Sequence, residues 1–306
     1  MATLTTNLGP NSAVVAFAQS TAVTDIMDAI EAVIVAHGWT IHDSSAGANA
    51  RCYKSQNADG STFKYVVLDF NTALTLIIKV YETWDSALHT GTNLCGLHSD
   101  VEFTQQVNTN DKGLIYIYVS SRWMAFIVKA YSTAVLGSAN HTGVTGCFEI
   151  ARDNPEDTVA MGYPCFCFLN TGVLGDGYSL SKPSLLLPRT HAGNTGTSQY
   201  GDVSTIFGKT SLTLKTYNFC PTTTNPWNGL DWAISMYAHG PSNEVKGRLF
   251  GLKLFTRDAL FFMDKLKVPC DGSLHYDAAG TLTDHFIVPG GNVENSVYSS
   301  RFLVPA

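Results

Sequence analysis

The segment VTDIMDAIEAVIVAHGWTIH, residues 23–42, contains the point where the spacing of apolar residues changes from helical to extended. Its first part predicts a helix over about residues 23–37, because apolar residues recur three and four positions apart: Ile26, Ile30, Val33 and Ile34. Gly38 follows, at the position where a left-handed residue commonly ends a helix. Residues 39–42 then alternate with a period of two, which predicts a strand.

The start of this helix is predicted from polar residues. Ser20, Thr21 and Thr24 offer hydroxyl groups that can cap the first backbone N–H groups. Asp25 and Asp28 place negative charge near the N-terminus of the helix, where the helix dipole stabilises it. We therefore expect a hydroxyl side chain as the N-cap.

Strands separated by turn residues are predicted after the helix. Runs at 51–55, 63–70 and 73–83 are rich in apolar or alternating residues. The Asp-Gly pair within residues 57–60 is a strong hairpin signal. Alternate residues of the third run share one face of its strand: Leu74, Leu76, Ile78 and Val80. Because a sheet must bury one face, the sequence predicts an N-terminal helix packed on an antiparallel meander.

The rest of the chain is predicted to be rich in strands. Two strands lie at 114–119 and 123–131, and five strand-like runs follow near the C-terminus: 211–217, 232–238, 248–256, 261–266 and 285–288. Residues 85–112 and 183–199 are predicted loops, because they are rich in Thr, Gly and other turn residues.

The predicted fold class is therefore β-rich α+β, divided into three regions. Residues 1–135 form the helix plus antiparallel sheet, and residues 136–205 form an irregular, loop-rich connection. Residues 206–306 form an antiparallel, sandwich-like β region.

The charge of the chain limits its partners. The formal net charge is −6 and 14% of the residues are charged, against about 25% in ordinary soluble domains. Nucleic acid is bound by clustered basic residues, so no nucleic-acid partner is expected. No apolar stretch approaches the roughly 20 residues of a membrane span, and the N-terminus has no secretory signal, so we expect no membrane and a cytoplasmic site of synthesis. A surface with few charges is typical of a protein that covers it with partners or copies of itself.

The seven cysteines are an odd number spread over a long chain. Disulfide frameworks belong to short secreted domains, so reduced and mostly buried thiols are expected. Cys165 and Cys167 could form half of a zinc site, because alternate residues of a strand point the same way. No second pair accompanies them, so a packed aromatic strand is favoured, and neither a metal nor a cofactor is predicted.

Two further motifs contain residues that act in chemical sites of other proteins. The run GVLGDG at 172–177 resembles a phosphate loop, but no helix or Gly-Lys-Ser/Thr follows it. Asp153, Glu156 and Asp157 could serve as acid and base on a glycosidic bond, whereas a helix start with Pro155 at its first position explains them without catalysis. Because hydrolase signatures are also missing, no catalytic residue is predicted.

Trp227 and Trp232 are the candidate ligand contacts. They flank the sequence Asn-Gly-Leu-Asp, and exposed tryptophans beside such residues can stack on a sugar ring and hydrogen bond to it. The alternative is that both are core anchors, because tryptophan is usually buried.

Nine short stretches carry a resemblance to a known group of proteins. They are GWTIHD at 38–43, CYKS at 52–55, YETWD at 81–85, GCFEI at 146–150, PEDT at 155–158, GRLFGLK at 247–253, MDK at 263–265, DGS at 271–273 and TDHFIV at 283–288. As a set they resemble virion structural proteins of tailed bacteriophages, especially myovirus-type tail and baseplate components. The resemblance implies a non-enzymatic building block, made in the host cytoplasm and assembled into the virion, whose partners are other virion proteins and its own copies.

The expected function is therefore a subunit of the tail, baseplate or neck that works through protein–protein contacts in a symmetric assembly. Two alternatives stay open: a receptor- or glycan-binding phage component that uses Trp227 and Trp232, and a capsid-decorating protein. A glycan-degrading enzyme that uses Asp153 and Glu156 is the least favoured.

Overall fold

The computed structural model describes residues 4–18, 21–57, 60, 63–70, 76–94, 101–103, 112–131, 139–141, 145–151, 166–170, 184–186, 200–205, 208–209, 233–239, 245–255, 274–276, 282–289 and 301–305. Within them, one helix and two antiparallel sheets form the fold, which confirms the predicted β-rich α+β class. No helix in this part of the chain has the length and apolarity that a membrane span requires.

The elements of the first half of the chain are β1 (Leu4–Gly9), β2 (Ser12–Ala18), α1 (Val23–Ala36), β3 (Thr40–Gly47), β4 (Ala50–Gln56), β5 (Phe63–Phe70), β6 (Leu76–Asp85), β7 (Thr90–Leu94), β8 (Val101–Phe103), β9 (Lys112–Ser120), β10 (Trp123–Tyr131), β11 (Ala139–His141) and β12 (Thr145–Ala151). The second half contributes β13 (Phe166–Asn170), β14 (Ser184–Leu186), β15 (Tyr200–Thr205), β16 (Gly208–Lys209), β17 (Ala233–His239), β18 (Val245–Phe255), β19 (Leu274–Tyr276), β20 (Leu282–Pro289) and β21 (Arg301–Pro305).

Helix α1 is amphipathic, as its apolar spacing predicts. Its buried residues form one face: Ile26, Met27, Ile30, Val33 and Ile34. The helix lies against β2 and β9 of one sheet and β3 of the other. The helix therefore packs against both sheets and not against the meander alone.

The end of α1 has the left-handed glycine that the sequence predicts. Gly38 has a φ of 91°, and its N–H donates to the carbonyl of Val35 at 3.2 Å. The N–H of Trp39 donates to the carbonyl of Ile34 at 3.4 Å. These two bonds define a Schellman motif, which satisfies carbonyl groups that the helix end leaves open.

The predicted hydroxyl cap at the start of α1 is wrong. The N-cap is Ala22, and no side chain makes a capping hydrogen bond. Thr21 is buried, and its Oγ1 accepts the N–H of Ala18 at 3.0 Å. The Thr21 hydroxyl therefore satisfies a backbone N–H at the end of β2. Thr24 is exposed within the helix, and Ser20 lies outside the described residues.

The predicted meander is present as a six-stranded antiparallel sheet, here called the small sheet. Its order is β3-β4-β5-β6-β7, with β8 beside β6. Strands β4 and β5 pair along the whole of β4, and Gly60 N–H donates to the carbonyl of Asn57 at 2.9 Å in the turn between them. Leu76, Ile78 and Val80 are buried on one face, as predicted, and Leu74 lies outside the described residues.

Several strands occur where the sequence predicts loops or gives no strand signal. β7 and β8 lie within residues 85–112, and β14 lies within residues 183–199. β7 reads TGTNL, which shows no apolar alternation. It becomes a strand because the open edge of β6 offers N–H and C=O groups to pair with, and such tertiary context overrides weak local preference.

The other strands form a fifteen-stranded sheet, here called the large sheet. Its order is β1-β2-β9-β10-β12-β13-β14-β15-β17-β18-β21-β20-β19, with β11 beside β10 and β16 beside β15. β12 also pairs with β18, so the order returns on itself and the sheet curls. Strands β11–β15 fall within residues 136–205, and the division into three regions stays a prediction. The predicted strands at 211–217 and 261–266 lie outside the described residues.

The main core lies between the two sheets, and α1 contributes to it. From the large sheet it takes alternate residues of β2, β9 and β10, and from the small sheet alternate residues of β5 and β6: Ala13, Val15, Phe17, Ile115, Ile117, Val119, Met124, Phe126, Val66, Leu68, Phe70, Leu76, Ile78 and Val80. This period-two burial is the pattern expected for sheets with one face on a core.

Gly146 marks the closest approach of β10 and β12. A Cβ at this position would lie 2.2 Å from the carbonyl oxygen of Met124 and 2.7 Å from the Cα of Ala125. Only glycine fits there, because every other residue would force the two backbones apart.

Candidate functional site

The residues that the sequence proposes for ligand contact lie outside the described part of the chain. This holds for Trp227 and Trp232, whose contact with a ligand stays a prediction. It also holds for the other weighed candidates: Asp153, Glu156, Asp157, Cys165 and residues 172–177. Cys167 lies on strand β13.

Two of the cysteines, Cys52 and Cys147, lie in the described part of the core. Cys52 and Cys147 are free and fully buried, as predicted for the thiols of this chain. Burial raises the pKa of Cys147 to about 12 and also raises the pKa of Cys52. Both stay protonated at neutral pH and pack as small apolar groups, since the thiolate is the form that attacks or binds metal. No cluster of three or more His, Cys, Asp or Glu side chains among the described residues is placed to hold a metal ion.

Three polar clusters hold the described half of the molecule together, and the first is centred on Asp43 of β3. The carboxyl Oδ2 accepts hydrogen bonds from Trp84 Nε1 at 2.9 Å and from His89 Nδ1 at 2.8 Å. The other oxygen, Oδ1, accepts the backbone N–H of Ser45 at 2.9 Å. The hairpin that joins β6 to β7 is thereby fastened to β3.

The pKa of Asp43 follows from this arrangement. Burial alone raises it, but the hydrogen bonds from His89, Trp84 and Ser45 outweigh burial and lower the pKa to about 2. The group is therefore a carboxylate at neutral pH, with both oxygens occupied by donors. It positions the hairpin and has no free lone pair aimed at a substrate.

The hairpin tip presents one apolar side chain to solvent. Asp85 Oδ1 accepts the N–H groups of Ala87 and Leu88 at 2.8 and 3.1 Å, which fixes the turn. Leu88 is 70% exposed. His89 has a φ of 53°, an uncommon value for a residue with a side chain, and its bond to Asp43 helps to hold it.

The second cluster lies inside the protein and joins the two sheets. Lys64 of β5 has no exposed surface, and its Nζ donates to Asn57 Oδ1 at 2.9 Å and lies 3.5 Å from Glu149 Oε2. Glu149 of β12 is also bound by Arg122 Nη2 at 2.9 Å. Burial lowers the pKa of Lys64. A buried charge is tolerated only when it is paired, so these three side chains depend on one another.

Hydrogen bonds to the β9–β10 turn extend this junction. Trp39 Nε1 donates to the carbonyl of Ser120 at 2.7 Å, and Ser55 Oγ donates to the carbonyl of Ser121 at 2.6 Å. Trp39 follows the end of α1, and Ser55 belongs to the small sheet. Both acceptors belong to the β9–β10 hairpin of the large sheet. These hydrogen bonds hold the turn in place in addition to apolar packing.

The third cluster joins α1 to the small sheet. Arg51 of β4 lies 2.6 Å from Asp28 and 3.0 Å from Glu31. Tyr53 OH donates to the same Glu31 carboxylate at 3.2 Å. This cluster is nearer to solvent, because the side chain of Asp28 is 65% exposed.

Charge is sparse among the fully exposed positions of the described residues: of the thirteen charged residues whose burial is described, four are buried, six are partly buried and three are exposed. Among the exposed residues whose burial is described, only Asp25, Asp28 and Asp85 carry a formal charge, and none is a lysine or arginine. The other exposed positions are mostly Thr, Ser, Ala and Gly, with some large apolar side chains. Those apolar side chains are Val35, Ile41, Phe63 and Leu88. This sparsely charged surface is the candidate functional site.

Aromatic rings gather on the outer face of the small sheet. The His42 and Tyr65 rings are 5.1 Å apart, and Phe63, which is 40% exposed, lies 6.4 Å from Tyr65. Tyr81 and Trp84 are 5.2 Å apart. Tyr65, Tyr81 and Trp84 pack against a small second core formed by Ala50, Cys52 and Val67.

Comparisons with protein-family models, with curated proteins and with solved structures give no match to this chain.

The polar clusters were missed by sequence reasoning, although a signal for the buried ions was present. Lys64 and Glu149 each interrupt an apolar strand, in FKYVVLDF and TGCFEIA. A charged residue at a core-facing position of such a strand indicates a buried ion pair. The partner of each could not be read from the sequence, because 85 residues separate the two.

Proposed function

We propose that this chain is a non-enzymatic structural subunit of a tailed-bacteriophage particle, in the tail, baseplate or neck, which works through contacts with copies of itself and other virion proteins. The observation that carries the proposal is the low charge of the exposed positions among the described residues, where only Asp25, Asp28 and Asp85 carry a formal charge. The resemblance of nine sequence stretches to virion structural proteins supports the same function.

The physical argument concerns how proteins stay apart. A protein that works alone normally carries charge on roughly a quarter to a third of its surface residues, and this keeps copies from associating. Permanent interfaces are large and are depleted of charge at their centres. Exposed positions that are mostly Thr, Ser, Ala and Gly, with isolated apolar side chains and few charges, are the composition expected of an assembly subunit.

Rigidity supports the same function. A particle subunit must present its contact surfaces in a fixed geometry, and side chains that are already ordered lose less entropy when a partner binds. The Asp43 cluster fastens the β6–β7 hairpin, and the Lys64–Glu149 pair joins the two sheets.

Mass spectrometry of purified particles tests the proposal. We expect peptides of the chain in tailed particles purified from a lysate that expresses it, at a fixed copy number that matches the symmetry of a tail or baseplate ring. Failure to find the chain in such particles, while it is abundant in the remaining lysate, would overturn the proposal. A copy number that matches the capsid would assign the chain to capsid decoration.

A receptor- or glycan-binding component is the second candidate, and the aromatic rings of the small sheet favour it. Tyr65, Phe63 and His42 supply neighbouring rings that are partly exposed, which is a surface on which sugar rings can stack. A glycan array tests this function with wild type, Tyr65→Ala and Trp227→Ala. Binding that is lost in either variant supports it, and the absence of binding by wild type rejects it.

A further inference from the structure

Strand β1 forms one end of the large sheet. It pairs with β2 in a regular antiparallel register from Leu4↔Ala16 to Asn7↔Ala13, and no other described strand lies beside it. Alternate residues of an edge strand direct their N–H and C=O groups away from the sheet, so they can pair with another strand.

This edge lacks the usual protection along its regular part. Natural edge strands carry charges, prolines or bulges that prevent pairing with other chains. No charged residue occurs before Asp25 in the sequence. The register shift between Asn7 and Gly9 and the following Pro10 both lie at the turn end. Thr5 and Thr6 are exposed, and among the described strands only β2 pairs with this part of β1.

The strand is also held firmly in position. β2, its neighbour, pairs with β9 over its whole length and sends Ala13, Val15 and Phe17 into the main core. In addition, His37 Nε2 lies 2.8 Å from the carbonyl oxygen of Pro10 in the β1–β2 turn. An incoming strand would therefore meet a preformed template.

We infer that β1 pairs antiparallel with β1 of a second copy of this chain, about a twofold axis near Thr5 and Thr6. In such a pair the residue on the axis meets itself in the other copy, and the residues one position before and after it meet each other, so a charge on the axis would face a like charge. The strand reads LTTNLG, which has no charge and places threonines at the centre. Threonine pairs across antiparallel strands are favourable. The inference rests on the proposed function and names one contact surface and its partner.

The test uses the full chain with lysines at the centre of the edge. In Thr5→Lys/Thr6→Lys, a lysine faces the same lysine of the other copy whether the axis lies at position 5 or at position 6. The matched control is Ala36→Lys/Ser86→Lys, which adds the same charge at two exposed positions of α1 and the β6–β7 hairpin. Circular dichroism checks that all three proteins are folded.

Solution mass by light scattering and hydrogen exchange of the β1 amides are measured over a range of concentrations. We expect wild type and the control to dimerise, with β1 amides that gain protection as concentration rises. The dissociation constant of the edge variant should increase at least tenfold, because like charges face each other across the strands.

Three results would overturn the inference. One is a wild-type chain that stays monomeric with unprotected β1 amides, and another is an edge variant that associates as strongly as wild type. The third is protection of β1 that does not depend on concentration, since another segment of the same chain would then cover the edge. None of these results bears on incorporation into particles, so failure here is distinguishable from failure of the proposed function.

Discussion

Replacement of Glu149 by glutamine tests whether buried charge joins the two sheets. The substitution keeps the shape of the side chain and removes its charge, while Lys64 Nζ at 3.5 Å and Arg122 Nη2 at 2.9 Å stay in place. Lys64, which has no exposed surface, would then face a neutral amide. The expected result is a large loss of stability.

The magnitude follows from the distances and the burial. A unit charge pair at 3.5 Å interacts by about 5 kcal/mol at an effective dielectric constant of about 20. The cost of desolvating both groups offsets much of this in the native protein. Removal of one partner nevertheless costs about 3–5 kcal/mol, because the remaining ion stays buried without its counter-charge. This is a large part of the roughly 5–15 kcal/mol that stabilises a typical domain.

Urea unfolding followed by tryptophan fluorescence measures the loss. The matched control is Asp28→Asn, whose ion pair with Arg51 is shorter, at 2.6 Å, but has an aspartate side chain that is 65% exposed. We expect the control to lose less than about 1 kcal/mol, because solvent screens exposed pairs. Adding Lys64→Met to the Glu149→Gln variant should restore part of the loss. Equal losses in Glu149→Gln and Asp28→Asn would refute the reasoning, since burial would then not decide the cost.

Three further outcomes are expected. Gly146→Ala should lower the free energy of unfolding by about 1–3 kcal/mol, measured in urea, because its Cβ would come within 2.2 Å of the Met124 carbonyl oxygen. Unchanged stability would show that β10 and β12 can separate freely. Trp39→Phe should lower the free energy of unfolding by about 1–3 kcal/mol, measured by thermal unfolding, because the carbonyl of Ser120 loses its donor at 2.7 Å. An unchanged melting temperature would show that this hydrogen bond does not stabilise the fold. For Asp43 the folded pKa of about 2 lies below the ordinary 3.8, so its contribution of about 2 kcal/mol is present above pH 4 and is lost as the pH falls toward 2. Asp43→Asn should flatten stability over that range in acid titrations followed by circular dichroism, and a titration identical to wild type would reject the assignment.

The elements with strong local signals were predictable from the sequence. Helix α1 is fixed by its apolar spacing, and its end is fixed by Gly38 because glycine accepts a positive φ without strain. The β4–β5 hairpin follows from the Asp-Gly turn between two apolar runs. Each of these features depends on residues close together in the chain, so the pattern carries the information.

The edge strands and the helix start were less predictable. β7 and β1 are rich in Thr, Gly and Asn, and they become strands because a neighbouring strand presents open hydrogen-bonding groups. The hydroxyl of Thr21 was expected to cap α1 but bonds to Ala18. In each case a hydrogen-bonding partner that the sequence pattern does not indicate determined the local structure.

The sequence by itself determined the fold class, the amphipathic helix, the central hairpin and the low overall charge, because these depend on composition and short-range spacing. Only the tertiary structure decided where the charges go. Lys64 and Glu149 meet across 85 residues of chain, and Asp43 meets His89 across 46. Pairing at such separations depends on how the sheets stack, and burial is tolerated only for ions that find partners.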